Sequence, residues 1–188
     1  AVIGKKGAKE GVRIAAAHID SPRIDLKPIP LYEASEMALL KTHYYGGIKK
    51  YQWTAIPLSM HGKIVRKDGT EITVNVGEKE GDPQFTITDI LPHLGKDQMG
   101  KTLGEAINGE DLNILVGSLP LTDGEGEQQF KLNIMNILHQ QYGIVESDLI
   151  SAEIEFVPAF KAVDIGFDRS MIGAYGHDDR VCAYPILE

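Results

Sequence analysis

The chain has 188 residues, enough for one large domain or two small ones. Hydrophobic residues make up 43% and charged residues 24%, an ordinary globular balance, and a formal net charge of −8 argues against a nucleic-acid footprint. No apolar run approaches the roughly 20 residues of a membrane span; Lys5, Lys6, Lys9 and Glu10 break any signal-peptide core; and a single cysteine, Cys182, excludes an internal disulfide framework, so the expected compartment is the reducing cytoplasm, with no membrane partner.

In chain order, residues 1–10 are rich in glycine and lysine and read as a loop or edge. Residues 11–18 carry small and β-branched side chains and predict a buried strand that ends at Ser21-Pro22. Residues 23–30 alternate apolar residues with charges and prolines, which predicts an extended run outside the centre of a sheet. Residues 32–41 fit a helical turn or a strand equally. Tyr44, Tyr45, Tyr51 and Trp53 surround Gly46-Gly47, as core or interface aromatics beside a bend.

Residues 63–66 and 71–76 alternate around Asp68-Gly69 and predict a β-hairpin. A polar loop follows at 77–84, then a short strand and turn over 85–94, and a mixed stretch over 95–111 with a weak helix at 103–108. Residues 112–119 read as a strand, and 122–127 as an acidic loop. Phe130, Ile134, Ile137 and Leu138 recur at helical spacing before Gly143, which predicts an amphipathic helix over 127–142. One helical turn at Ser147-Asp148, a strand over 154–157 ended by Pro158, and a strand candidate over 160–167 complete this part.

Two stretches carry possible chemistry. In His18-Ile19-Asp20-Ser21-Pro22, residues two apart on a strand share a face, so His18 and Asp20 leave it side by side. A neutral imidazole is a zinc ligand whose other N–H usually meets a carboxylate or carbonyl. The bland reading is a polar pair at a strand terminus. In Gly176-His177-Asp178-Asp179-Arg180, an Asp pair stands at the start of a helix, where the dipole and free N–H groups favour carboxylates. The bland reading there is a simple cap. Cys182, in the same helix, is expected to pack, and Arg180 to pair with an acid or serve the helix electrostatically.

Those stretches, with Arg23-Ile24-Asp25-Leu26-Lys27-Pro28 and Tyr44-Tyr45-Gly46-Gly47-Ile48, resemble the M18 family of metalloaminopeptidases over nearly the whole chain, with the closest likeness to bacterial members. The resemblance implies two divalent metal ions, Zn in most members, and removal of N-terminal residues from peptide substrates. By position, His18 and Asp178 would be metal ligands, Asp178 bridging both ions, and Asp20 the catalytic-site partner that orients His18. Asp179 falls where the family has Asp or Asn.

His93, in Ile90-Leu91-Pro92-His93-Leu94, resembles the segment that carries a substrate-binding histidine toward a partner subunit; the alternative is a local turn histidine. His177 reads as a neighbour of the site, and His43, His61 and His139 as structural or exposed. The implied fold class is α/β: residues 1–29 and 158–188 as parts of a catalytic domain, with a β-rich dimerisation domain inserted over 30–157. Homo-oligomers from dimer to dodecamer follow from the same likeness.

The family's Glu-Glu pair, further acidic ligand and late His all come after the bridging Asp, whereas ten residues follow Asp178 here. The expectation is therefore the front portion of a longer enzyme. Two other functions fit the same residues: a non-catalytic assembly module of a larger enzyme, and a metal-dependent hydrolase of another amide.

Overall fold

The computed structural model describes residues 3–122 and 126–188, so part of the expected acidic loop at 122–127 lies outside the described residues. The chain divides into two compact units, Ala1–Ser21 with Val163–Glu188, and Pro22–Ala162. The second unit is continuous and interrupts the first in sequence.

The second unit is built on seven strands: β1 (Arg23–Ala34), β2 (Met37–Tyr45), β3 (Leu58–Val65), β4 (Glu71–Val76), β5 (Thr86–Ile87), β6 (Ile114–Gly117) and β7 (Ala152–Pro158). Their order is β4-β3-β7-β1-β2-β6-β5, with every pairing antiparallel. The sheet curls until its far end returns to β3. Leu58 N–H donates to Phe85 O at 2.7 Å, Phe85 N–H to Leu58 O at 2.9 Å, and Ala55 N–H to Ile87 O at 2.8 Å. Six strands thus close a small barrel, β3-β7-β1-β2-β6-β5, and β4 continues on the outer side of β3. Closure covers the edge that the β5 end of an open sheet would leave, and β4 keeps an outer edge.

Side chains in register across the ladder form the interior. Val76, Met60, Phe156 and Ile24 stand opposite one another on β4, β3, β7 and β1. Phe156 and Ile24 are fully buried, and Phe85 meets Phe156 edge to face at 5.4 Å between centroids. Two short helices, α1 (Lys96–Met99) and α2 (Leu103–Ala106), lie between β5 and β6. Helix α3 (Gln129–Tyr142) follows β6, and Gly143 ends it in the left-handed conformation with its N–H on His139 O. Within the first unit, strands β8 (Val163–Ile165) and β9 (Met171–Gly173) form a hairpin and lead into helix α4 (His177–Leu187). Sheet and helices are both present, in keeping with the expected α/β class, and the second unit is the β-rich part.

The Asp68-Gly69 hairpin, helix α3 and the strand before Pro158 match the sequence reading within a few residues. Three expectations are corrected. Residues 11–18 are not a strand: among the described residues nothing pairs with them, and Ile14 is 86% exposed. A strand exists only through ladder bonds to a neighbour, and apolar content alone cannot supply one.

The run from Arg23 is, by contrast, a central strand, because β7 and β2 flank it. Its prolines, Pro28 and Pro30, fall where the β1–β2 register shifts between Leu26 and Leu31, so no ladder donor is missed. The strand lies wholly within the second unit, which begins at Pro22. Cys182 is exposed, not packed. The ambiguous 32–41 stretch is a hairpin whose turn residues, Ser35 and Glu36, both adopt positive φ.

Candidate metal centre

Three elements of the first unit meet here: the loop through residues 18–21, the end of β9, and the start of α4. Gly176 caps α4 at φ 87°, a left-handed position that favours glycine, and so turns the chain from β9 into the helix. Asp178 departs from helical dihedrals (φ −87°, ψ 114°), and the Asp178–Asp179 peptide bond is cis. Ser21 Oγ donates to Asp178 O at 2.9 Å and ties the loop to the Asp pair.

His18 Nδ1 lies 3.1 Å from Asp20 Oδ1 and 2.6 Å from Asp179 Oδ2. One ligand atom from each of His18, Asp20 and Asp179 lies within 4.8 Å of the others. The hydrogen bond to Asp20 raises the His18 pKa above its usual value, and the charge of Asp179 adds to the effect. Asp179 is likewise raised, mainly by its hydrogen bond to the Asp178 side chain, with His18 opposing. Several carboxylates around one imidazole make a place that attracts a cation. A histidine nitrogen and carboxylate oxygens are also the donor types that zinc accepts, so the residues present fit such an ion. The His18 side chain is 73% exposed and that of Asp179 only 15%, so the cluster opens to solvent on the histidine side.

The structure thus brings together His18, Asp20 and the Asp pair, with Asp179 in direct contact with His18. Asp178 touches Asp179 but stands outside the three-donor group. In sequence Asp179 stands as the second of the Asp pair, at a position where the family has Asp or Asn, and nothing there predicts its contact with His18; the Ser-Pro step is the available signal for Ser21. His177 Nε2 lies 3.1 Å from Ile172 O, which fits its reading as a neighbour. His93 belongs to the second unit, exposed in a turn where Leu94 N–H bonds Leu91 O. His61 meets Ser59 Oγ and Glu78, and His139 faces Ile144 O, so both are structural; His43 is exposed.

This donor set defines a candidate metalloprotein. Residues 1–188 match the family model described as Aminopeptidase I zinc metalloprotease (M18), and the chain belongs to that family. It is 58% identical over 187 residues to the "Probable M18 family aminopeptidase 1" of Clostridium acetobutylicum, covering 100% of this chain and 40% of that protein. The protein of the same name from Thermotoga maritima is 52% identical over 179 residues, covering 95% of this chain and 39% of the relative. The crystal structure of aminopeptidase I from Clostridium acetobutylicum superposes with a TM-score of 0.90 at 54% identity, over 97% of this chain and 40% of that one. The chain therefore spans about 40% of the length of these relatives.

Proposed function

We propose that this chain is part of a metal-dependent aminopeptidase that removes N-terminal residues from peptides, and that its first unit supplies one side of the metal site. The observation that carries the reading is the His18–Asp20–Asp179 cluster, found in a chain of a zinc metalloprotease family. In this reading His18 and Asp178 are metal ligands, Asp20 orients the His18 ring through Nδ1, and Asp179 is a further acidic donor. Ser21 holds the Asp178 main chain in place. Two divalent ions, zinc by donor chemistry, are proposed; when bound, such ions polarise a scissile carbonyl and activate a nucleophile.

The second unit is proposed as a dimerisation domain of a homo-oligomeric enzyme, with His93 reaching a partner's substrate. Its support is the insertion of that unit between the two parts of the first and the exposure of Tyr44, Tyr45 and Tyr51. A cytoplasmic setting is proposed on the lone cysteine; no helix of the described residues is long and apolar enough to cross a membrane.

Zinc titration of the chain by calorimetry tests the site. Saturable binding is expected, lost in His18→Ala, and a comparison of Asp178→Asn with Asp179→Asn identifies the ligating carboxylate. Equal zinc binding by wild type and His18→Ala would remove the metal reading. Sedimentation at high protein concentration tests the assembly, with a monomer counting against it.

A further inference from the structure

The curled sheet of the second unit, β4 included, holds a partly open cavity of about 420 Å³. Leu40, Ile64, Val74 and Ile154 contribute to its walls, and Ile137 and Leu138 of α3 stand at its mouth. Among the described residues no charged side chain lines it; Gln84, Thr86, Gln141 and Tyr142 supply the few polar atoms. Protein interiors are close-packed, with few voids larger than a water molecule. A space of this size falls within the range of small-molecule sites, which favour barrel mouths and predominantly apolar walls.

Helix α3, which lines one side of the cavity, is anchored at both ends. At its start, Phe130 N–H and Lys131 N–H both donate to Glu33 Oε2, at 2.8 and 3.0 Å. At its end, Arg66 donates to Tyr142 O. Lys131 also pairs with Glu146 at 2.6 Å. The helix is thus held from the barrel's rim at both ends. No residue of α3 is fully buried, and Ile137, although it faces the cavity, is 38% exposed. Ile134 packs closely over Gly117 of β6, and beside that contact Ile137, Leu138 and Gln141 line the cavity.

We propose that this barrel is a binding site for one uncharged, predominantly apolar small molecule. The absence of charge from the described lining selects against ions, because a charge placed there would lose its hydration without a partner. The wall chemistry favours an alkyl or aryl body, and the Gln and Tyr groups at the edge suit a single hydroxyl or carbonyl end.

The test titrates the 188-residue protein with N-phenyl-1-naphthylamine, an uncharged fluorescent probe, and displaces it with 1-dodecanol. The expected result is saturable one-to-one binding reversed by the alcohol. Ile137→Phe, which adds bulk at the mouth, should weaken the probe by at least roughly tenfold. Leu132→Phe, on an α3 residue that is 45% exposed and outside the lining, should leave it unchanged. If Ile137→Phe does not fold, Leu138→Phe serves the same purpose. Absence of saturable binding would overturn the proposal, as would equal binding by the mouth variant, which places the probe on exterior apolar surface. Binding that appears only with a change in oligomeric state would also overturn it, since a second copy would then be the occupant. Neither arm uses metal or peptidase activity, so this result is independent of the proposed function.

Discussion

Gly62 lies in β3 at φ 147°, and a Cβ built there would stand 1.9 Å from Glu153 O on the neighbouring strand. The clash is with backbone, which no rotamer change relieves. Gly62→Ala should therefore cost about 3 kcal/mol or more, or prevent folding, as measured by urea denaturation. Phe156 is fully buried and packs edge to face on Phe85. Phe156→Ala should lower stability by about 3–5 kcal/mol through lost burial and the space left behind. Glu33 acts at longer range. Gln128, at the N-cap of α3, gives no side-chain cap, and the Glu33 carboxylate takes two of the helix's free N–H groups instead. Glu33→Ala should cost about 1–2 kcal/mol in the same assay.

The elements differ in how their stability responds to pH. The loop after β4 is organised by Asp82, whose carboxylate accepts Gly77 N–H at 3.0 Å and Lys79 N–H at 3.1 Å. The Gly77 bond, followed by the Lys79 bond, holds the Asp82 pKa below its ordinary value. Its folded pKa is thus lower than an unfolded value of about 3.9. The resulting contribution is fully present above that unfolded pKa and is lost as pH falls through the lower folded one. Glu71, paired with Lys63 at 2.7 Å, shifts in the same direction in the β3–β4 hairpin. Denaturation from pH 6 to pH 2 should show a steeper loss of stability for wild type than for Asp82→Asn. Parallel curves would show that the loop bonds form equally in the unfolded chain.

For the whole molecule, catalysis is the property to test. The described residues gather three donors in the open, whereas zinc sites use four positions. The 188-residue chain is therefore expected to hydrolyse aminoacyl chromogenic substrates poorly. A protein of the relatives' full length should hydrolyse them in a metal-dependent way that is lost in His18→Ala or Asp178→Ala. Vigorous metal-dependent turnover by the 188-residue chain would mean that its own carboxylates, or those of another copy, complete the site.

The sequence by itself determined the features that neighbouring residues encode. Asp68-Gly69 defined a hairpin because a tight turn depends on the residues within it. Gly143 marked the end of α3 because the left-handed cap is a local preference. His18 and Asp20 meet at 3.1 Å, but in a loop and not on the strand from which two-residue spacing predicts a shared face. Only the tertiary structure decided that β1 is central, that Phe85 closes the barrel on Leu58, that Glu33 caps a helix 97 residues away, and that Asp179 reaches His18. Each of these depends on a partner distant in sequence, where ladder bonds, carboxylate contacts and packing arise only once the chain has closed the loop between them.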